Sequence, residues 1–330
     1  MRTTIGLLTF IIVSFIGCSG TIKKEGDTSQ SVVSIQRFDK DLYNYLQYPD
    51  QNQENEIKVK YPSLLPAFGR VAIDNNDPIT LLPALREYFA HPSLLKVYND
   101  TDAKFNDVSD YERLLAIVDD IVGQQFKGKR LPRLAMHVSG FRENVIIVDD
   151  LISLSADKYL GEDYSMYQDF FQPYERQQMK PQFVVRDYLK AWLMSDVVEP
   201  IDSDEQNLLK AMVREGKILY ALSFLLPATE KIDLIGYTPE QNKWMEDHEK
   251  EAWRTILHKS YLFSDDNMLI TRFINDAPFT MPLGVESPGR AGAWFGWRMV
   301  SAYARNKKVS LQNIMDVDAS VILKDAKYNP

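Results

Sequence analysis

Cysteine is almost absent from this chain: Cys18 is the only one in 330 residues. A single thiol cannot close an intramolecular disulfide, so packing and polar contacts must hold the fold together. Basic charge is also short. Lysine and arginine number 38 against 46 aspartates and glutamates, a net charge of −8. That balance excludes a generic nucleic-acid surface, which needs a basic patch to displace counterions. It equally excludes adhesion to anionic lipid headgroups by charge alone. Past residue 17 no apolar run approaches the ~18 residues of a membrane span. Histidine is scarce, with four in all, and no His-Glu-x-x-His pair occurs. Gly-x-Ser-x-Gly, phosphate-loop and dinucleotide fingerprints are missing too. Neither a cofactor nor a metal ion is expected.

What is present begins at the N-terminus. Arg2 precedes an apolar stretch from Ile5 to Ile16, followed by Gly17 and Cys18. A short basic start, about a dozen apolar residues and a small residue make a secretory signal peptide. A cysteine directly after that small residue resembles a bacterial lipobox. The resemblance implies that residues 1–17 are removed and that Cys18 becomes a lipidated N-terminus. The mature chain then has 37 basic residues, having lost only Arg2, against 46 acidic, a net charge of −9. Its acyl chains would anchor it stably. Residues 18–34, rich in Gly, Ser, Thr, Lys and Glu, read as a flexible tether, and residues 35–330 as a single domain.

Hydrophobic periodicity makes that domain mainly α with a small β component. Phe38, Leu42 and Tyr45 have helical spacing. Asp77-Pro78 opens a helix through Phe89, and Ser109 with Glu112 reads as a capping box for another, with Gly123 as its stop. Residues 133–139 and 145–148 read as two antiparallel strands with Gly140 near their turn, Asp149-Asp150 ending the second. Helices are expected over Gln182–Asp196 and Glu205–Leu226, and from Pro239, where Thr238 and Gln241 form a capping box. A last long helix runs from Ser287-Pro288 to about Arg305, with Gly289, Gly292 and Gly296 inside it. Interior glycine costs ~1 kcal/mol relative to alanine, a cost tolerated where another backbone approaches closely. Trp294 and Trp297 beside these glycines point to a tightly packed helix.

Four segments carry a resemblance: Arg37-Phe38-Asp39-Lys40-Asp41-Leu42, Gly236-Tyr237-Thr238-Pro239-Glu240-Gln241, Ala277-Pro278-Phe279, and Glu286 to Trp297 with its Ser287-Pro288-Gly289-Arg290 core. They resemble the gliding motility lipoproteins of Bacteroidetes, the GldB type, from about residue 33 to the end. The resemblance implies an envelope role and carries no catalytic residues.

A more distant resemblance is to zincin metallopeptidases. Strands, a buried helix, a helix with Glu-Gly and then a Pro-Gly-Arg helix follow in that order. In that arrangement Arg186 and Lys190 stand where two imidazoles belong, Asp187 where the general base belongs and Glu215 where the third ligand belongs. Arginine and lysine are protonated and offer zinc no lone pair. The expectation is a degenerate site in which Arg186 and Lys190 pair with Glu215, joined by Asp187. A plain solvated helix face is the alternative. His248-Glu249 is half a zincin motif with Ala252 in place of the second histidine. His258, His91 and His137 lack metal partners by spacing. Asp149-Asp150 and Glu162-Asp163 lack EF-hand spacing.

The leading functional expectation is a lipid-anchored, periplasm-facing envelope protein that binds other envelope proteins without catalysis. Ser19 favours the outer over the inner membrane. The enzyme alternative is a metallopeptidase-like hydrolase around Glu215. A third reading is a module for envelope glycan or peptide using Trp192, Trp294 and Trp297.

Overall fold

The computed structural model describes residues 33–330. The expected signal peptide (residues 1–17), Cys18 and most of the expected tether lie outside the described residues. A four-stranded sheet organises the chain, with β1 (Ile35–Gln36), β2 (Arg133–His137), β3 (Val145–Val148) and β4 (Leu151–Ser155) in the order β1-β2-β4-β3. β1 and β4 each run parallel to β2, and β3 is antiparallel to β4.

The expected direct pairing of residues 133–139 with 145–148 is therefore corrected: β4 lies between them. Asp149-Asp150 is the hairpin turn, with Asp149 at φ +50°, and the chain doubles straight back. All five residues of β4 are buried. Its serines spend their polarity inside the fold, so the segment shows no solvent-facing alternation.

Helices cover both faces of the sheet. Before β2 come α1 (Phe38–Gln47), α2 (Gln51–Lys60), α3 (Leu64–Ile73), α4 (Leu81–Phe89), α5 (Pro92–Lys104) and α6 (Ser109–Gln125). Phe38, Phe68, Leu82 and Leu85 pack with Ala135, Ile146 and Leu151 on one face. Leu134, Met136, Ile152 and Leu154 alternate onto the other face, as a pleated strand requires. The capping box expected at Ser109 does not form. Asp107 Oδ1 takes the Ser109 N–H at 2.8 Å, while Glu112 Oε1 accepts from the backbone of Ile35 in β1 at 2.9 Å. The helix also runs two residues past Gly123.

After β4 come the single turns α7 (Tyr167–Phe170) and α8 (Pro173–Arg176), then α9 (Val184–Trp192) and α10 (Leu208–Leu225). α9 extends the expected helix through a 3-10 turn at Pro181–Phe183 and a π turn at Leu193–Val197. α11 (Lys231–Ile235) precedes α12 (Pro239–His258), whose Thr238–Gln241 capping box forms as expected. α13 (Asn267–Ile274), α14 (Ala291–Lys307), α15 (Leu311–Met315) and α16 (Ala319–Ala326) complete the chain.

α10 and α14 cross at glycine. A Cβ on Gly296 would stand 1.7 Å from the Met212 carbonyl oxygen, and one on Gly216 would stand 2.2 Å from the Gly296 carbonyl carbon. α14 starts later than expected. Ser287, Pro288 and Gly289 precede it, and Arg290, at φ +58°, is its N-cap. Ser287 does not cap the helix. Thr280 Oγ1 accepts the free N–H of Ala291 at 3.2 Å and donates to the Pro288 carbonyl at 2.7 Å. Gly289 is required there, since a Cβ would meet the Ala277 carbonyl oxygen at 2.1 Å.

Candidate functional site

α9 is buried along Val184, Val185, Tyr188, Leu189 and Trp192, which turns Arg186, Asp187 and Lys190 to the side where α10, α11 and the α14 N-terminus meet. The helix is pinned to the sheet by the Tyr188 hydroxyl, which donates to the Ala135 carbonyl. Arg186 Nε donates to Asp187 Oδ1 at 2.8 Å and Nη1 to the Asp233 carbonyl at 2.8 Å. Its guanidinium lies 3.8 Å from the Phe183 ring centroid. Asp187 Oδ2 accepts from the Tyr159 hydroxyl at 2.9 Å.

Glu215 is not paired with Arg186, as the sequence led us to expect. Its carboxylate accepts from Arg290 Nη2 at 3.3 Å, and both side chains are 10% exposed. Arg290 Nη1 also donates to the Ile235 carbonyl at 2.9 Å, and its Nε lies 3.6 Å from Asp276. Both guanidiniums thus dock on carbonyls at the C-terminal end of α11, where the helix leaves unsatisfied acceptors and negative dipole. Burial opposes the charge on Arg290, but Asp276 and Glu215 outweigh it and raise its pKa. The two separate sequence features, the α9 charges and the Ser-Pro-Gly-Arg segment, meet here through Arg290. Lys190 stays close without contact. The neighbouring Arg290 charge, then burial, lower its pKa, against the pull of Glu215, Asp276 and Asp187.

A cleft of about 460 Å³ opens above these residues. Arg186, Asp187, Lys190, Asp276 and Arg290 form its polar floor, and Val145 and Ile147 of β3 one wall. Phe171 and Tyr174 contribute its aromatic surface. The tryptophans expected to line a cleft do not: Trp192, Trp294 and Trp297 are 2%, 5% and 9% exposed and belong to the core.

Lys158, also in the cleft wall, was missed from sequence because the strand before it was missed. β4 ends in a 3-10 turn at Ala156–Lys158, held by buried Asp157. That carboxylate accepts from the backbone of Phe141 at 2.7 Å and of Ser139 at 3.2 Å, and from Ser155 Oγ at 2.5 Å. Burial pushes Asp157 up despite these donors. The turn sets Lys158 Nζ 4.3 Å from the Phe171 ring centroid.

The donors do not fit zinc. The cations Arg186 and Lys190 offer no lone pair while protonated, and the Glu215 carboxylate is bonded to the Arg290 guanidinium. Among the described residues no group of three or more His, Cys, Asp or Glu could hold a metal ion. His248 Nδ1 is turned to the Trp244 carbonyl at 2.9 Å.

A family model described as gliding motility protein GldB matches residues 21–330. The chain belongs to the GldB family. Comparison with curated proteins and with solved structures returned no match. The GldB match spans every residue of the cleft and of the Arg290 junction, and its lipoprotein family associates the chain with the cell envelope. No helix among the described residues of this GldB chain is long and apolar enough to cross a membrane.

Proposed function

We propose that this GldB-family chain is held at the envelope by a lipid on Cys18, faces the periplasm from the outer membrane, and works by binding other envelope components rather than by catalysis. The observation that carries the non-catalytic reading is the Glu215–Arg290 pair. A carboxylate committed to a buried guanidinium is no free metal ligand, and Arg186 and Lys190 repel a cation. Arg290 supplies the positive charge that a metal would supply in the zincin arrangement. The site is a metallopeptidase remnant in which charge pairs have taken over the structural role.

The lipobox resemblance and the family support the anchor. A deletion strain tests the role, scored for surface spreading and protein secretion. The full chain restores both, and the Cys18→Ala form, released from the membrane fraction, restores neither. An unchanged deletion phenotype, or full restoration by Cys18→Ala, contradicts the reading. Cleavage of casein or of a peptide library by the purified chain contradicts its non-catalytic part.

A further inference from the structure

Two amines in the cleft, Lys158 and Lys190, have no hydrogen-bonding or ionic partner among the described residues. Lys158 is only 9% exposed; its stem is buried, and its Nζ opens to the cleft over the Phe171 ring, so an acceptor entering the cleft can reach it. Burial lowers the pKa of Lys158. Three of the acids around them are already engaged. Asp187 serves Arg186 and Tyr159, Glu215 serves Arg290, and Glu175 accepts the Gln172 N–H at 2.8 Å.

The wall above these amines is a free sheet edge. β3 is the last strand in the order, with β4 as its one strand partner among the described residues. Its residues alternate: Ile146 points into the core behind the sheet, whereas Val145 and Ile147 face the cleft, Ile147 being 46% exposed. An unpaired edge offers backbone donors and acceptors in a row, and alternate side chains offer apolar contact.

We propose that the cleft takes an acidic peptide segment in extended form, paired along β3 with its apolar side chains beside Val145 and Ile147 and its carboxylates on Lys158 and Lys190. This rests on the reading of the chain as a binding protein. It deepens that reading by naming the chemistry of what is bound. Charge complementarity selects the carboxylates, and the exposed strand edge selects a peptide over a glycan. Each carboxylate would give its lysine the charge-assisted hydrogen bond that it lacks.

The test uses the full chain in mild detergent and fluorescein-labelled hexapeptides that alternate Glu with Val or Phe, read by anisotropy. Saturable binding is expected, weakened roughly tenfold or more when Gln replaces Glu, the order expected for a lost charge-assisted bond. The Lys158→Gln/Lys190→Gln protein loses binding to the same extent, with circular dichroism confirming its fold. Peptides N-methylated at alternate residues, which keep their charge but cannot pair with a strand, bind as weakly. Equal affinity for the Gln or N-methylated peptides overturns the proposal, whether or not the lysine variant folds. So does binding of a uronate oligosaccharide in place of the peptides. Mass spectrometry of the bound peptide separates the two readings: cleavage would sink the non-catalytic function and leave the site, whereas absent binding would sink the site alone.

Discussion

Glu215 and Arg290 are buried charges whose desolvation is offset chiefly by each other, with Asp276 and the Ile235 carbonyl also beside Arg290. Removing one leaves the other without its nearest buried counter-charge. Glu215→Ala is expected to lower stability by about 3–5 kcal/mol in urea unfolding. Glu215→Leu/Arg290→Met should recover much of that loss, because a well-packed apolar pair replaces a desolvated ionic one. His137 makes a second prediction at this scale. Its ring is fully buried against Phe68, with Nδ1 2.8 Å from Ser153 Oγ, and burial lowers its pKa to about 3. The unfolded chain takes up that proton near pH 6.5 and the folded chain does not. The stability held by the neutral ring is therefore complete above pH 6.5 and falls as pH drops toward 3, by about 1.4 kcal/mol per pH unit. Urea unfolding of the full chain and His137→Asn at several pH values should show that slope in their difference, since Asp157 titrates in both. The charges of α9 were legible in sequence as a group, but their partners were not. Arg290 stood among glycines and aromatics and looked like packing, and nothing in its neighbours shows that it reaches Glu215, 75 residues away.

Among the elements, the crossing of α10 and α14 depends most on single atoms. Gly296→Ala forces two backbones apart. The expected loss is about 3 kcal/mol, at the upper end for overpacking, and thermal unfolding would report it. Thr238→Ala should cost about 1 kcal/mol through the lost α12 cap, with Thr238→Ser recovering most of it. The glycines could be read in advance because their helix cost demands a close approach. The Thr238–Gln241 cap could be read because both partners lie within one turn. The Ser109 cap could not, because Glu112 turned to β1, a strand far away in sequence. β4 was hidden by the burial of its serines, and with it went Lys158. What sequence pattern records is local period; what it omits is which distant backbone claims a polar side chain.

For the whole molecule, helices on both faces leave β3 as an open edge beside a cleft whose floor is built from paired charges. Its family places it with gliding motility lipoproteins. Among the described residues no group of three or more His, Cys, Asp or Glu could hold a metal ion, and Glu215 is bonded to Arg290. Stability should accordingly owe nothing to a metal. The most direct measurement is the unfolding temperature of the full chain in EDTA and with added zinc, taken beside the zinc content of the purified protein. The expected result is substoichiometric zinc and the same unfolding temperature in both conditions. Stoichiometric zinc that disappears in Glu215→Gln, with an unfolding temperature raised by zinc and lowered by EDTA, would contradict it.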